Sequence, residues 1–157
     1  MHRTGRTGYD ILSFVLTANF LFLLSVTDIR YRRIPNVYIL AAFAVKTVMI
    51  VIWGVAEHDF SGLFVNSLAG MISGALLTGI VYVISGKGIG AGDVKMFAAV
   101  GYMAGAAAAL DILVYSTVLC ALCGIILVAV KKCRLKDFIP MAPFVYAGML
   151  VYIFSGM

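Results

Sequence analysis

Charged residues are scarce in this chain: 12% of its 157 residues are Asp, Glu, Lys or Arg, whereas 63% are hydrophobic. A soluble domain needs a polar surface, and a chain with a mean hydropathy of +1.06 cannot supply one. Since about 20 apolar residues cross a bilayer, this length holds roughly five to seven spans and leaves almost nothing for a soluble catalytic domain. The composition therefore predicts a single-domain polytopic membrane protein.

Proline and cysteine are also rare, with three residues of each. The prolines Pro35, Pro140 and Pro143 precede or open apolar runs, where a missing N–H costs little, so we interpret them as helix starts. Cys120-x-x-Cys123 lies inside an apolar run and has no second cysteine pair. This context favours helix packing over metal binding, so the sequence predicts neither a disulfide framework nor a metal site.

Six helices are predicted when the apolar runs are cut at charges, prolines and glycine clusters. Their expected ranges are 10–27, 37–54, 62–85, 94–110, 112–130 and 140–156, with a tight hairpin between the fourth and fifth. The first range follows Arg3 and Arg6, as in a signal peptide, but it is long and lacks a cleavage pattern, so we expect an uncleaved helix. The predicted fold class is all-α, a bundle of six transmembrane helices.

Lysine and arginine residues cluster after the first, third and fifth predicted helices. Basic residues in short loops are retained in the cytoplasm, and the opposite loops carry acids such as Glu57 and Asp59. This asymmetry predicts that both termini lie outside and that the loops bearing Asp28 and Asp93 lie inside. The net charge of +5 is thereby explained by topology and contact with the lipid bilayer, without a nucleic-acid partner.

Two pairs of glycines have the spacing that permits close helix packing in membranes. Gly70-x-x-x-Gly74 falls in the third predicted helix, and Gly101-x-x-x-Gly105 falls in the fourth. Glycine faces let two backbones approach each other. We therefore expect these residues to be bundle contacts.

Two aspartates lie at the edges of predicted helices, on the same predicted membrane face. Asp28 follows the first apolar run, and Asp93 opens the fourth after Gly90-x-Gly92. Each has a structural alternative, Asp93 as a helix N-cap and Asp28 as a charge balanced by Arg30. Ionisable groups at membrane depth are costly and usually functional, so the shared face and depth favour a catalytic carboxylate pair. The two glycines would let a backbone approach a ligand closely.

Three polar phrases, taken together, resemble those of a known family. They are Thr27-Asp28-x-Arg30 with Ile34-Pro35-Asn36, then Gly90-x-Gly92-Asp93-x-Lys95, then Ile139-Pro140-x-Ala142-Pro143-Phe144 with Gly148. In this order they resemble the type IV prepilin peptidases, the GxGD-type aspartic proteases of membranes. The resemblance implies that Asp28 and Asp93 are catalytic. It also implies supporting or substrate-binding positions at Arg30, Pro35, Asn36, Gly90, Gly92, Lys95, Pro140 and Pro143.

The same resemblance implies a substrate and a place of action. Family members cleave the short basic leader from prepilins, pseudopilins and Flp-type or archaellin-like precursors, at the cytoplasmic face of the plasma or inner membrane and without a cofactor. Larger members carry a cytoplasmic region with paired zinc-binding cysteines and an N-methylation activity. This chain passes directly from its first predicted helix to Asp28, so the resemblance extends to the peptidase only.

The chemistry of such a pair requires one ionised carboxylate to activate water and one protonated carboxyl to polarise the scissile carbonyl. Two neighbouring carboxylates cannot both ionise easily, so their apparent pKa values separate. The sequence leaves open which aspartate is the base. Two other functions also stay open at this point: a proton-coupled transporter component, whose acids would be expected nearer the midplane, and a non-catalytic pilus or secretion assembly subunit.

Lys46 is an unusual charge, near the middle of the second predicted helix. Such a lysine often extends its ammonium group toward the membrane surface. The resemblance suggests another role, because the substrates of the family carry an acidic residue just past the cleavage point. On that hypothesis Lys46 helps to bind the acidic residue.

Overall fold

The computed structural model of the chain describes residues 6–31, 34–84, 90–130 and 140–155, with side chains from Gly8 onwards. Within these ranges the chain forms six helices and no strand, which confirms the predicted all-α fold. They are α1 (Arg6–Tyr31), α2 (Asn36–Glu57), α3 (Phe60–Ile84), α4 (Ala91–Ala104), α5 (Ala106–Ala129) and α6 (Ala142–Phe154). The predicted orientation largely depends on basic residues that lie outside the described residues, at positions 3, 32, 33 and 87 and within 131–136.

Four of the helices are long and apolar enough to cross a membrane. The apolar segments of α1, α2, α3 and α5 contain 22 to 25 residues each. Helices α4 and α6 are shorter, with 14 and 13 residues. At a rise of 1.5 Å per residue these two reach only about 20 Å, less than the roughly 30 Å of a hydrocarbon core. The chain is a multi-pass membrane protein whose described residues form four long spans and two shorter helices.

The turn between α4 and α5 lies at Gly105, not at Asp111 as the predicted ranges require. Gly105 has a φ of +88°, and its N–H donates to the carbonyl of Gly101 at 2.9 Å. Alanines on both sides of Gly105 keep the run apolar, so hydropathy alone does not reveal the break. The predicted hairpin is confirmed, but the predicted end of the fourth helix at residue 110 is wrong.

Helices α3 and α4 pack backbone against backbone. A Cβ added to Gly70 would collide with the carbonyl oxygen of Gly101, and a Cβ added to Gly101 would collide with that of Gly70. One turn further along α3, a Cβ on Gly74 would lie 2.5 Å from the carbonyl oxygen of Phe97. The predicted glycine contacts are therefore confirmed, and they hold α4 directly against α3.

Contacts between helix termini define the two ends of the bundle. The rings of Tyr9 and Trp53 lie 6.2 Å apart, which brings the start of α1 beside the end of α2. At the other end, the side chains of Lys95 and Asn36 join the starts of α4 and α2. We call the end that contains Asp28 and Asp93 the aspartate end, and the other the opposite end. Between them lies a core of buried apolar side chains that includes Leu21, Leu24, Ile50, Phe97, Ile112 and Met149.

Candidate active site

Asp28 is held between the end of α1 and the start of α6. Its side chain is 5% exposed, and one carboxylate oxygen accepts a hydrogen bond from the backbone N–H of Ala142 at 3.2 Å. Ala142 is the first residue of α6, where N–H groups have no partner within the helix. The Asp28 carboxylate therefore supplies a partner for one of these N–H groups.

Asp93 is the third residue of α4, and its side chain is 7% exposed. One carboxylate oxygen accepts a hydrogen bond from the backbone N–H of Gly90 at 3.1 Å. Gly90 occupies the N-cap, so the alternative interpretation of Asp93 as the N-cap residue is wrong. Asp93 instead closes the first turn from inside the helix, as the third residue of a capping box does.

The two carboxyl groups influence each other. Asp93 lies in the first turn of α4, outside the four long spans. Burial is the main cause that raises the pKa of Asp93 to about 6, and the charge of Asp28 raises it further against the opposing hydrogen bond from Gly90. The fold therefore buries both aspartates that the sequence singled out at the same end of the bundle, although they lie far apart in the sequence.

The remaining polar motif residues are more exposed than the aspartates. The ammonium group of Lys95 donates to the side-chain carbonyl of Asn36 at 3.4 Å, and both side chains are exposed. Arg30 is exposed in the last turn of α1. Pro35 caps the start of α2 with an extended backbone. These residues are available to solvent or substrate at the aspartate end, whereas the aspartates are enclosed.

The glycine-rich segment before Asp93 packs loosely. A Cβ built on Gly92 would lie 3.6 Å from Ile34, an ordinary van der Waals distance, so the protein's own packing does not require glycine there. Gly90 and Gly92 are both partly exposed. Close approach of a ligand backbone to Gly90-x-Gly92 stays a prediction.

The third sequence phrase opens α6 beside Asp28. Pro140 precedes the helix and Pro143 is its second residue, where the absence of an N–H costs no hydrogen bond. Gly148 lies deeper, and a Cβ there would be 2.8 Å from the backbone nitrogen of Ser116 in α5. Gly148 is thus a packing residue between α5 and α6.

The backbone N–H of Ala142 is the site group that sequence reasoning missed. A main-chain donor leaves no trace in side-chain chemistry. Its one signal is the small residue between Pro140 and Pro143, at the expected start of a helix. Ala142 is fully buried, which allows α6 to approach α1 closely enough for the bond to Asp28.

Lys46 lies in the interior rather than extending toward the membrane surface. It is 3% exposed, its ammonium group donates to the hydroxyl of Ser13 at 2.7 Å, and it sits 4.5 Å from the centre of the Tyr9 ring. A cleft of about 380 Å³ opens beside this region, at the opposite end of the bundle. Its lining includes Tyr9, Asp10, Asn66, Gly105 and Tyr152, and neither Asp28 nor Asp93.

Among the described residues, no group of three or more His, Cys, Asp or Glu side chains is placed to hold a metal ion. Cys120 and Cys123 are half-buried free thiols in α5, in keeping with their predicted packing role. Cys133 lies outside the described residues. The expectation that no metal is needed stays a prediction.

Comparisons with known proteins agree with the resemblance seen in the three phrases. The model of the type IV leader peptidase family matches residues 15–125, which include both aspartates. A curated Bacillus subtilis (strain 168) protein named prepilin leader peptidase/N-methyltransferase is 27% identical over 150 residues, covering 93% of this chain and 57% of the relative. The chain therefore spans just over half the length of that relative. No solved structure matches the chain significantly.

Proposed function

Because the chain belongs to the type IV leader peptidase family, we propose that it is an aspartic endopeptidase that removes the basic leader from prepilin-like precursors. The proposed place of cleavage is the cytoplasmic face of the cell membrane. The observation that carries this proposal is the enclosure of Asp28 and Asp93, from two different helices, at one end of the bundle. Burying two acids at one end of a membrane bundle is costly, and the cost is understandable where the pair does chemistry.

The electrostatics of the pair favour one division of roles. Asp93 has the raised pKa, so it is the member that retains a proton and donates a hydrogen bond to the scissile carbonyl. Asp28, which accepts the N–H of Ala142 through one carboxylate oxygen, is then the base that takes a proton from water. The water oxygen then attacks the carbonyl carbon, and the proton passes to the leaving amine as the peptide bond breaks.

In this proposal, the segment from Gly90 to Gly92 binds the substrate backbone beside the aspartate pair. A precursor presents an extended leader followed by an apolar helix, so its scissile bond lies at the membrane edge. Gly90 and Gly92 are partly exposed beside Asp93, where an extended backbone could bind without meeting side chains. Lys95 and Asn36, which join α4 to α2, would hold this segment in position.

A direct cleavage assay tests the proposed function. The full chain, purified in detergent, is mixed with a precursor that carries a short basic leader and its apolar helix, and the product is measured by mass spectrometry. We expect a single cut that releases the leader. A precursor left intact, while the protein conducts protons in liposomes, would indicate a transporter component. Binding of the precursor without cleavage would indicate an assembly subunit.

Chelators should leave this activity unchanged. The proposed chemistry uses two carboxyl groups, and the sequence has no paired cysteine cluster of the kind that holds zinc. We expect equal cleavage rates with and without EDTA, and no methyl transfer from S-adenosylmethionine to the new N-terminus of the product. Loss of cleavage in EDTA that zinc restores would show that the catalytic class is wrong.

Cysteine labelling tests the proposed orientation. In a variant with serine at positions 120, 123 and 133, single cysteines are introduced at Tyr31 or at Glu57, which are exposed at opposite ends of the bundle. With an impermeant thiol reagent added outside intact cells, we expect labelling at residue 57 and none at residue 31 until the membrane is opened. Labelling of both from the same side would contradict the proposed topology, because α2 would then not cross the membrane.

A further inference from the structure

A buried hydrogen-bonded chain connects three helices at the carbonyl end of α4. The ammonium group of Lys46 in α2 donates to the hydroxyl of Ser13 in α1 at 2.7 Å. The same hydroxyl donates to the backbone carbonyl of Met103 at 2.6 Å. Met103 lies in the last turn of α4, where carbonyl groups lack partners within the helix. One lysine thus reaches the C-terminus of α4 through one serine.

The short length of α4 explains why its end needs such partners. With 14 residues it ends beside Gly105, which lines the cleft at the opposite end, and Met103 itself is 3% exposed. The carbonyl end of a helix carries a partial negative charge, so a cation placed there is stabilised. This partial charge favours an ammonium group at the end of α4, at a depth where an apolar side chain would otherwise be expected.

Helix α4 links this chain to the aspartates. Met103 is near one end of α4, and Asp93 is in the first turn at the other end. The α3 contacts at Gly70 and Gly101 fix how closely the two helices approach, and the Ser13 hydrogen bond adds a restraint at the end of α4. This restraint acts on the same rigid helix that carries Asp93.

We propose that Lys46 is a positioning residue of this peptidase, which acts through Ser13 to fix the carbonyl end of α4 and so the location of Asp93 at its other end. The inference rests on the proposed function. It gives Lys46 a role inside the protein, whereas the substrate-binding hypothesis from sequence requires contact with the precursor.

The test compares Lys46→Met and Ser13→Ala with a matched control. The control is Thr17→Val, one turn along α1, because the Thr17 hydroxyl is fully buried and donates at 2.7 Å to the Ser13 carbonyl within its own helix. Steady-state cleavage of the precursor gives kcat and KM, and hydrogen–deuterium exchange of α4 peptides gives a readout that needs no catalysis. Ser13→Ala is a small change, so it keeps the test usable if Lys46→Met folds poorly.

We expect kcat to fall roughly tenfold to a hundredfold in both variants, since small misplacement of a reacting group has effects of this size. KM should stay unchanged, the double variant should be no worse than Lys46→Met, and exchange in α4 should rise. The limb of the pH–activity profile that Asp93 governs should also shift, because the distance between Asp93 and Asp28 changes. A smaller folded fraction would instead lower the activity by the same factor at every pH. Thr17→Val should match the wild type in all of these.

Two results would overturn the inference. One is wild-type kcat and wild-type exchange of α4 in both variants. The other is a rise in KM alone for Lys46→Met that disappears with a precursor lacking its acidic residue, which would assign Lys46 to substrate binding. Failure of the proposed function itself is seen separately, as absence of cleavage by the wild type, and the exchange measurement still decides whether Lys46 fixes α4.

Discussion

Replacing either aspartate by asparagine is expected to abolish leader cleavage. Asp28→Asn and Asp93→Asn keep the size of the side chain and its ability to accept the hydrogen bond from Ala142 or Gly90. Neither amide can exchange a proton with water or with the scissile carbonyl. We expect kcat to fall by roughly four orders of magnitude or more in each variant, with membrane insertion and precursor binding retained.

Two comparisons separate this mechanism from a structural role. The double variant should be scarcely worse than either single variant, because groups that act in one chemical step are strongly non-additive. Asp111→Asn is the matched control, since Asp111 is exposed in α5 and belongs to no part of the pair. Near-normal turnover in either Asn variant would leave that aspartate with a structural role only, in capping α4 or in balancing charge at the end of α1.

The same pair predicts a bell-shaped dependence of kcat on pH. The active state needs one proton on the pair, so activity falls at low pH, where both groups are protonated, and at high pH, where both are ionised. Burial raises the pKa of Asp93, so its proton is retained to higher pH than in an ordinary aspartic acid. The alkaline limb should therefore lie above the usual range of an Asp carboxyl. A limb within that range would contradict the assignment of Asp93 as the proton donor.

Gly70→Ala is expected to destabilise the bundle and to inactivate the protein. The new methyl group would collide with the backbone carbonyl of Gly101, which cannot turn away as a flexible side chain can. Relief of the clash requires α4 to move from α3, and Asp93 moves with it. We expect a loss of about 3 kcal/mol in the free energy of unfolding and a fall in kcat of more than about tenfold. Thermal unfolding in detergent and the cleavage assay measure the two effects.

Gly79→Ala is the control for this prediction, since it makes the same substitution on the same helix. The nearest atom to a Cβ on Gly79 is a methyl carbon of Val94 at 4.0 Å, so the added group meets almost nothing. Alanine also favours a helix over glycine, which should leave stability equal or slightly higher. Equal losses in both alanine variants would show that backbone contact at Gly70 does not determine the position of α4.

The parts of the fold that are predictable from sequence are those with a strong local signal. Six apolar runs indicate the helices, and the glycine spacing at Gly70 and Gly101 indicates their closest contact. The length of α4 is not predictable from hydropathy, because Gly105 ends it within a run of alanines. Only the backbone conformation at Gly105 shows that the helix stops inside the bundle.

The candidate site also has a part that is predictable from sequence and a part that is not. Two acids at the edges of apolar runs stand out in the sequence, so Asp28 and Asp93 can be selected from it directly. The donor from Ala142 and the position of Lys46 depend on how helices far apart in sequence lie side by side. No local sequence pattern indicates that Ser13 connects Lys46 to the end of α4.

The hydrogen bond between Asp28 and Ala142 joins residues 114 positions apart, so it links α1 to α6, which is synthesised after α1 to α5. A nascent chain that has inserted α1 through α5 already contains both aspartates, yet Asp28 has no donor from α6. The carboxylate environment is completed only when α6 leaves the ribosome and packs against α1. Translation itself thereby sets when the pair reaches its final form, and a chain truncated before residue 142 would insert into the membrane without it.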